Sequence, residues 1–249
     1  PYTLPPLRGT LLDQKYGNAA DGLCGGMVLT ALDYFVAGQE IPQVAVAPAG
    51  EQDPLFLNLV DRLFDTFSVD SVSLMLKLMN PLYPDGDSNV LNTFGLADGR
   101  AAVMAQQEWP LIRADIDAGK PSPICLIAVK SLNPGDLGEN HQVLAYAYEA
   151  DGHDVTLHVY DPNQPEPTVA DGVFMTFTDG DVSQRIVVHH NVELKGKPIY
   201  CFARMNNATK PVRAPTRPRL GALERRERRV HIVREKQAVL SSTEVARGG

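Results

Sequence analysis

Residues 141–162 read HQVLAYAYEADGHDVTLHVYDP. Two runs rich in β-branched and aromatic residues flank Ala150-Asp151-Gly152, so the stretch reads as a β-hairpin. His141 opens its first strand and Asp161 closes its second. Their side chains meet only if they lie on one face at opposing positions. Direct pairing centres the turn on Asp151 and leaves a three-residue loop with Gly152 last, the common type I turn with a glycine bulge. A two-residue Asp-Gly loop shifts the register by one and turns the pair to opposite faces. The sequence permits both.

Similar short apolar runs surround the hairpin: PICLIAVK (123–130) before it, and GVFMTFT (172–178), QRIVVHH (184–190) and PIYCFAR (198–204) after it. All are bounded by Gly, Pro, Asn or Asp and read as strands. The preceding half has helical periodicity. Residues 24–37 carry apolar side chains at 27, 28, 31, 32, 34, 35 and 36, which wrap most of a helix and predict a core position, with Gly38 closing it. PLFLNLVDRLFDTF (54–67) and SVSLMLKLMN (71–80) predict two more helices, and residues 100–118 a fourth, broken at Pro110 and closed by Gly119. Helices first and strands after predict an α+β fold rather than alternating βαβ units. Residues 1–21 form an irregular, proline-rich entry.

The 249-residue chain is 44% hydrophobic and 21% charged, enough to bury a full core. No apolar run approaches the length of a membrane span, and no signal peptide is visible at the N-terminus. Three cysteines without metal-type spacing (Cys24, Cys125 and Cys201) leave at least one thiol free and favour a reducing compartment. The expected setting is cytoplasmic, or secreted as an effector. Residues 208–249 hold eleven Lys and Arg against four Glu, whereas the preceding body is strongly acidic. Such a body does not suit nucleic acid. The tail is expected to touch an acidic surface, its own body included, and folding over an acidic groove would make it an autoinhibitor.

GLCGGMVLTALDYF (22–35) sets Cys24 at the head of the first predicted helix, between Gly22 and Gly25-Gly26. A helix N-terminus favours a thiolate, and its free N–H groups can receive an oxyanion. By itself a cysteine beside glycines is more often a buried structural thiol. A thiol nucleophile also needs a base and a group to orient it, and the hairpin supplies His141 and Asp161. Cys125 and Cys201 sit in apolar strand runs and read as inert. Trp109 reads as a core aromatic at a helix end, and Asp115 and Asp117 as a solvated helix face. His153 and His158, five residues apart, face opposite ways, as do His189 and His190, so no zinc site is expected. No phosphate-binding or dinucleotide-binding glycine loop is present.

GLCGGM (22–27), NHQVLAYAYE (140–149) and HVYDPNQP (158–165) resemble the motifs of papain-like cysteine peptidases, in particular the bacterial double-glycine leader peptidases. The resemblance implies a helical lobe, about 18–120, whose central helix carries the cysteine. It implies an antiparallel β lobe, about 121–207, carrying the histidine and its orienting acid, so that 1–207 is one catalytic domain and 208–249 a basic linker or tail. It assigns Cys24 as nucleophile, His141 as base and Asp161 as orienter, with Asn163 as a substitute orienter. The family's oxyanion glutamine, six residues before the cysteine, is replaced by Asn18, which keeps the amide but is one methylene shorter. The N–H of Cys24 completes the oxyanion site. The implied activity is hydrolysis of a protein or peptide substrate through an acyl-thioester, without cofactor or metal. Deamidation or acyl transfer by the same triad, and a non-catalytic binding module of the same fold, are the alternatives.

Overall fold

The computed structural model describes residues 22–41, 53–87, 98–164, 172–206 and 208–212, all within one compact unit, Pro1–Pro215. Helices α1 (Cys24–Val36), α2 (Pro54–Asp65) and α3 (Val69–Met79) come first. Arg100–Ala102 then leads through a π-helical stretch, Val103–Glu108, into α4 (Trp109–Asp117). The strands follow: β1 (Ser122–Ile127), β2 (His141–Asp151), β3 (Asp154–Tyr160), β4 (Val173–Thr178), β5 (His189–His190) and β6 (Cys201–Arg204). They form one antiparallel sheet in the order β5-β4-β3-β2-β1-β6. The architecture is α+β. Among the described residues no helix is long and apolar enough to cross a membrane.

Local chemistry accounts for the helix ends. Asp53 caps α2, accepting from the N–H of Leu55 at 2.8 Å, and Ser68 caps α3 through the N–H of Ser71. Pro110 does not end the fourth helix as its sequence suggests. It sits in the first turn of α4, where a missing N–H is tolerated, and the wider π turns lie just ahead of it. QRIVVHH and PIYCFAR yield only the short β5 and β6, joined by one further bridge, Val188 to Ile199.

Helices cover both faces of the sheet. Leu144 on β2 packs with Val28, Leu29, Ala31 and Leu32 of α1. Its neighbours Val143 and Ala145 turn into the main core. Trp109 of α4 stands edge-on to Phe177, at 5.5 Å, and Phe177 packs in turn on Phe202. Val28, Leu29 and Leu32 are fully buried, and burying each contributes about 1.5–3 kcal/mol.

The hairpin takes neither register weighed from sequence. Asp151 pairs with Asp154, so the loop is Gly152-His153, with Gly152 at φ +60° in the first position that a type II′ turn gives to glycine. Continued unbroken, this register would place His141 and Asp161 on opposite faces. A bulge at Tyr146 adds one residue to β2 between Ala145 and Ala147, and beyond it Ala145 pairs with Val159 and Leu144 with Tyr160. The extra residue restores the parity. Asp161 then lies across from Val143, on the same face as His141 and diagonal to it.

A buried ion cluster joins the helices to the end of the described chain. Arg62, 1% exposed, holds Asp33 through Nε and Nη2 at 2.9 and 3.1 Å, and Asp65 at 2.6 Å. Its Nη2 also donates to the carbonyl of Ala208 at 3.0 Å, and the N–H of Lys210 donates to Asp33 at 2.8 Å. The body therefore extends past the expected boundary at 207, through the start of the basic tail. Residues 213–249 lie outside the described residues, as does any contact they make with an acidic groove.

Two stability outcomes follow. A Cβ on Gly26 would lie 2.0 Å from the Leu59 carbonyl oxygen, so Gly26→Ala must force α1 off α2. Overpacking of this kind should lower unfolding free energy by about 1–3 kcal/mol in urea denaturation. Arg62→Leu strands the buried Asp33 carboxylate and should cost about 3–5 kcal/mol, while the double variant Arg62→Leu/Asp33→Leu should recover much of it. No recovery in the double variant would show that the cluster acts through packing and not charge.

Candidate active site

The site begins with helix α1. Its N-cap, Leu23, offers no side-chain cap, and its first turn has no acidic residue, so the leading N–H groups keep their partial positive charge unopposed from within the helix. Cys24 is the first helical residue and is half-buried. Its side chain lies near enough to the His141 ring to help raise the pKa of that imidazole. The helix thus delivers the sulfur to the start of β2.

His141, 5% exposed, is held on its other side. Its Nε2 bonds Asp161 Oδ1 at 2.7 Å, which leaves Nδ1 as the ring nitrogen available to Cys24. Asp161 is fully buried, and both of its oxygens are occupied. Oδ1 also accepts from the Asn163 N–H at 2.9 Å; Oδ2 accepts from the Glu193 N–H at 2.9 Å and from Gln164 Nε2 at 3.3 Å. The turn Asp161-Pro162-Asn163-Gln164, closed by the Gln164 N–H on the Asp161 carbonyl at 2.9 Å, creates this nest. Behind His141, Asn140 ties the strand start to its neighbours, accepting from the Ala128 N–H at 3.0 Å and donating to the Leu137 carbonyl.

These contacts set the charges. Burial opposes a charged imidazole at His141, but the Asp161 hydrogen bond, then the Cys24 contact, overcome it and hold the pKa up at about 9. Burial likewise raises Asp161, but the His141 bond and the two backbone N–H donors outweigh it and leave the carboxyl below its usual range. Cys201 shows the opposite environment: burial pushes its thiol up to about 12, and burial drives Cys125 higher still. Both are inert thiols of the interior.

The structure thus brings Cys24, His141 and Asp161 together. Asn163 has a different place from the one foreseen. Its backbone N–H holds Asp161 while its side chain turns to the Glu193 carbonyl at 3.4 Å, so it supports the orienter and does not substitute for it. Asn18 lies outside the described residues. Trp109 is a core residue, with its indole N–H on Asp179 at 3.2 Å. Asp115 is not a solvated face residue, because Arg204 grips both of its oxygens at 2.6 and 3.0 Å. Three supporting groups escaped the sequence reading: Gln164, the Glu193 N–H and Gln142. Gln142, 6% exposed, breaks an otherwise apolar strand directly after His141, and that polar interruption was the available signal. Among the described residues no group of three or more His, Cys, Asp or Glu could hold a metal ion.

The two shifts fix a pH window with opposite edges. His141, raised in the folded state, stabilises it fully below about pH 6.5, and the contribution is lost as pH climbs through about 9. Asp161, depressed, contributes above its unfolded value near 4 and loses that contribution as pH falls through its lower folded pKa. In an NMR titration His141 should therefore titrate near pH 9 in wild type and well below it in Asp161→Ala. A His141 midpoint unmoved by that substitution would deny the coupling.

Comparison with protein-family models, with curated proteins and with solved structures finds no match for this chain.

Proposed function

We propose that this chain is a cysteine-dependent acyl hydrolase of papain-like type, acting on a protein or peptide amide. The observation that carries the reading is the position of His141, bonded to the buried Asp161 at 2.7 Å on one side and against Cys24 on the other. A buried His–Asp pair beside a half-buried thiol, drawn from α1, β2 and the turn after β3, has no evident structural necessity. Its cost is offset if it prepares a nucleophile.

The chemistry follows from the geometry. Imidazolium beside the sulfur stabilises a thiolate. The thiolate attacks the substrate carbonyl carbon, forming a C–S bond as the carbonyl electron pair moves to oxygen. The uncapped N–H groups at the head of α1 face the developing negative charge. Asn18 is the proposed second donor. Collapse breaks the C–N bond, and the leaving nitrogen takes the imidazolium proton. Water, deprotonated by the now neutral His141, then attacks the thioester carbon, releases the acid and restores the thiolate and imidazolium. Asp161, locked by its other hydrogen bonds, keeps the ring in one orientation throughout.

Methyl methanethiosulfonate tests this without a known substrate. The Cys24 thiolate attacks its sulfenyl sulfur and expels methanesulfinate. At pH 7 wild type should be modified at Cys24 at least tenfold faster than His141→Ala, by mass spectrometry, with Cys125 and Cys201 unlabelled in the folded protein. Equal rates in the two proteins would favour a binding module in place of an enzyme.

A further inference from the structure

The side chain after the histidine lies on the opposite face of β2 from His141, the face that meets α1. Gln142 faces α1, and a Cβ on Gly25 would stand 2.8 Å from Gln142 Oε1. The carboxamide is therefore pressed against the first turn of the nucleophile's helix. Gln142 is 6% exposed, and among the described residues Oε1 has no hydrogen-bond partner. A buried acceptor without a donor is uncommon in a native fold and costly to keep.

Gln142 borders a small hollow of about 30 Å³ that Cys24 also lines, with Leu63, Phe67 and Met75 among its apolar walls. The other amide on the wall, Asn140, is already engaged by Ala128 and Leu137. A ligand offering one N–H directly beside the reacting carbonyl would satisfy Oε1. Its carbonyl oxygen would at the same time meet the free N–H groups of α1.

We infer that Gln142 is a substrate-binding residue, whose carboxamide oxygen accepts the N–H of the scissile amide. The inference rests on the acyl-hydrolase reading above and narrows its substrate class. The site takes amides that carry an N–H, primary carboxamides or ordinary peptide bonds. Tertiary amides, such as the bond preceding proline, and esters leave Oε1 unpaired and are disfavoured, because a buried polar group left without its partner is what gives an enzyme strong discrimination.

Two alkylating probes separate this from the general reading. Iodoacetamide and its N,N-dimethyl analogue both form a C–S bond at the thiolate and expel iodide, but only the first offers N–H. Rates at Cys24, each divided by the rate with glutathione, should favour iodoacetamide at least tenfold in wild type. Gln142→Met, which keeps the length and removes the acceptor, should bring the ratio close to one. A ratio near one in wild type overturns the inference even if the variant fails to fold. A high ratio that persists in Gln142→Met also overturns it. Failure of the hydrolase reading has a separate signature, methanethiosulfonate rates that do not respond to His141→Ala.

Discussion

The close approach of α1 to its neighbours is the constraint on which the arrangement depends. At Gly26 the helix comes so near α2 that a methyl group would overlap the Leu59 carbonyl, and at Gly25 so near β2 that it would strike Gln142. Side chains larger than hydrogen would hold the helix away from both, and its first residue with it. Cys24 would then lose contact with His141 whatever its own chemistry. Gly25 and Gly26 thus serve as contact surfaces between elements.

A second constraint acts within the sheet and is equally local. A two-residue loop sets the hairpin in the wrong parity for a His–Asp pair, and one extra residue at Tyr146 corrects it. Bulges often re-aim side chains near functional sites, and here the consequence is countable. The bulge lies five residues from His141, and every side chain from Ala145 back to the strand start depends on it. Asp161 then needs no further adjustment, because the Pro162 turn folds its own N–H donors around the carboxylate.

Much of this was legible in the residues. Periodicity placed α1, α2 and α3 and the longer strands nearly to the residue, because each has a strong apolar pattern and clear stops. The order of helices then strands fixed the α+β class. The Cys24, His141 and Asp161 set was visible as three residue types at element ends. The register was not, since Ala150-Asp151-Gly152-His153 satisfies several turns and a bulge leaves no compositional mark. Pro110 misled because it falls in the first turn of α4, where a missing N–H is tolerated. The partners of Asp161 were hidden for a different reason: Glu193 contributes a backbone N–H, which any residue except proline can supply.

The contrast between the two buried carboxylates clarifies what the site demands. Asp33 and Asp161 are both removed from water and each meets a cationic partner, yet burial prevails at Asp33 and raises its pKa, while hydrogen bonding prevails at Asp161 and lowers it. Asp33 receives one backbone N–H, from Lys210; Asp161 receives two, together with His141 and a glutamine amide. Fixed donors aimed at a carboxylate stabilise its charge, whereas Asp33 also feels the like charge of Asp65, which pushes its pKa up. A carboxylate held ionised in this way can keep an imidazolium protonated near neutral pH. The orienting strength of the site thus resides in the Pro162 turn and the segment at Glu193 as much as in Asp161 itself.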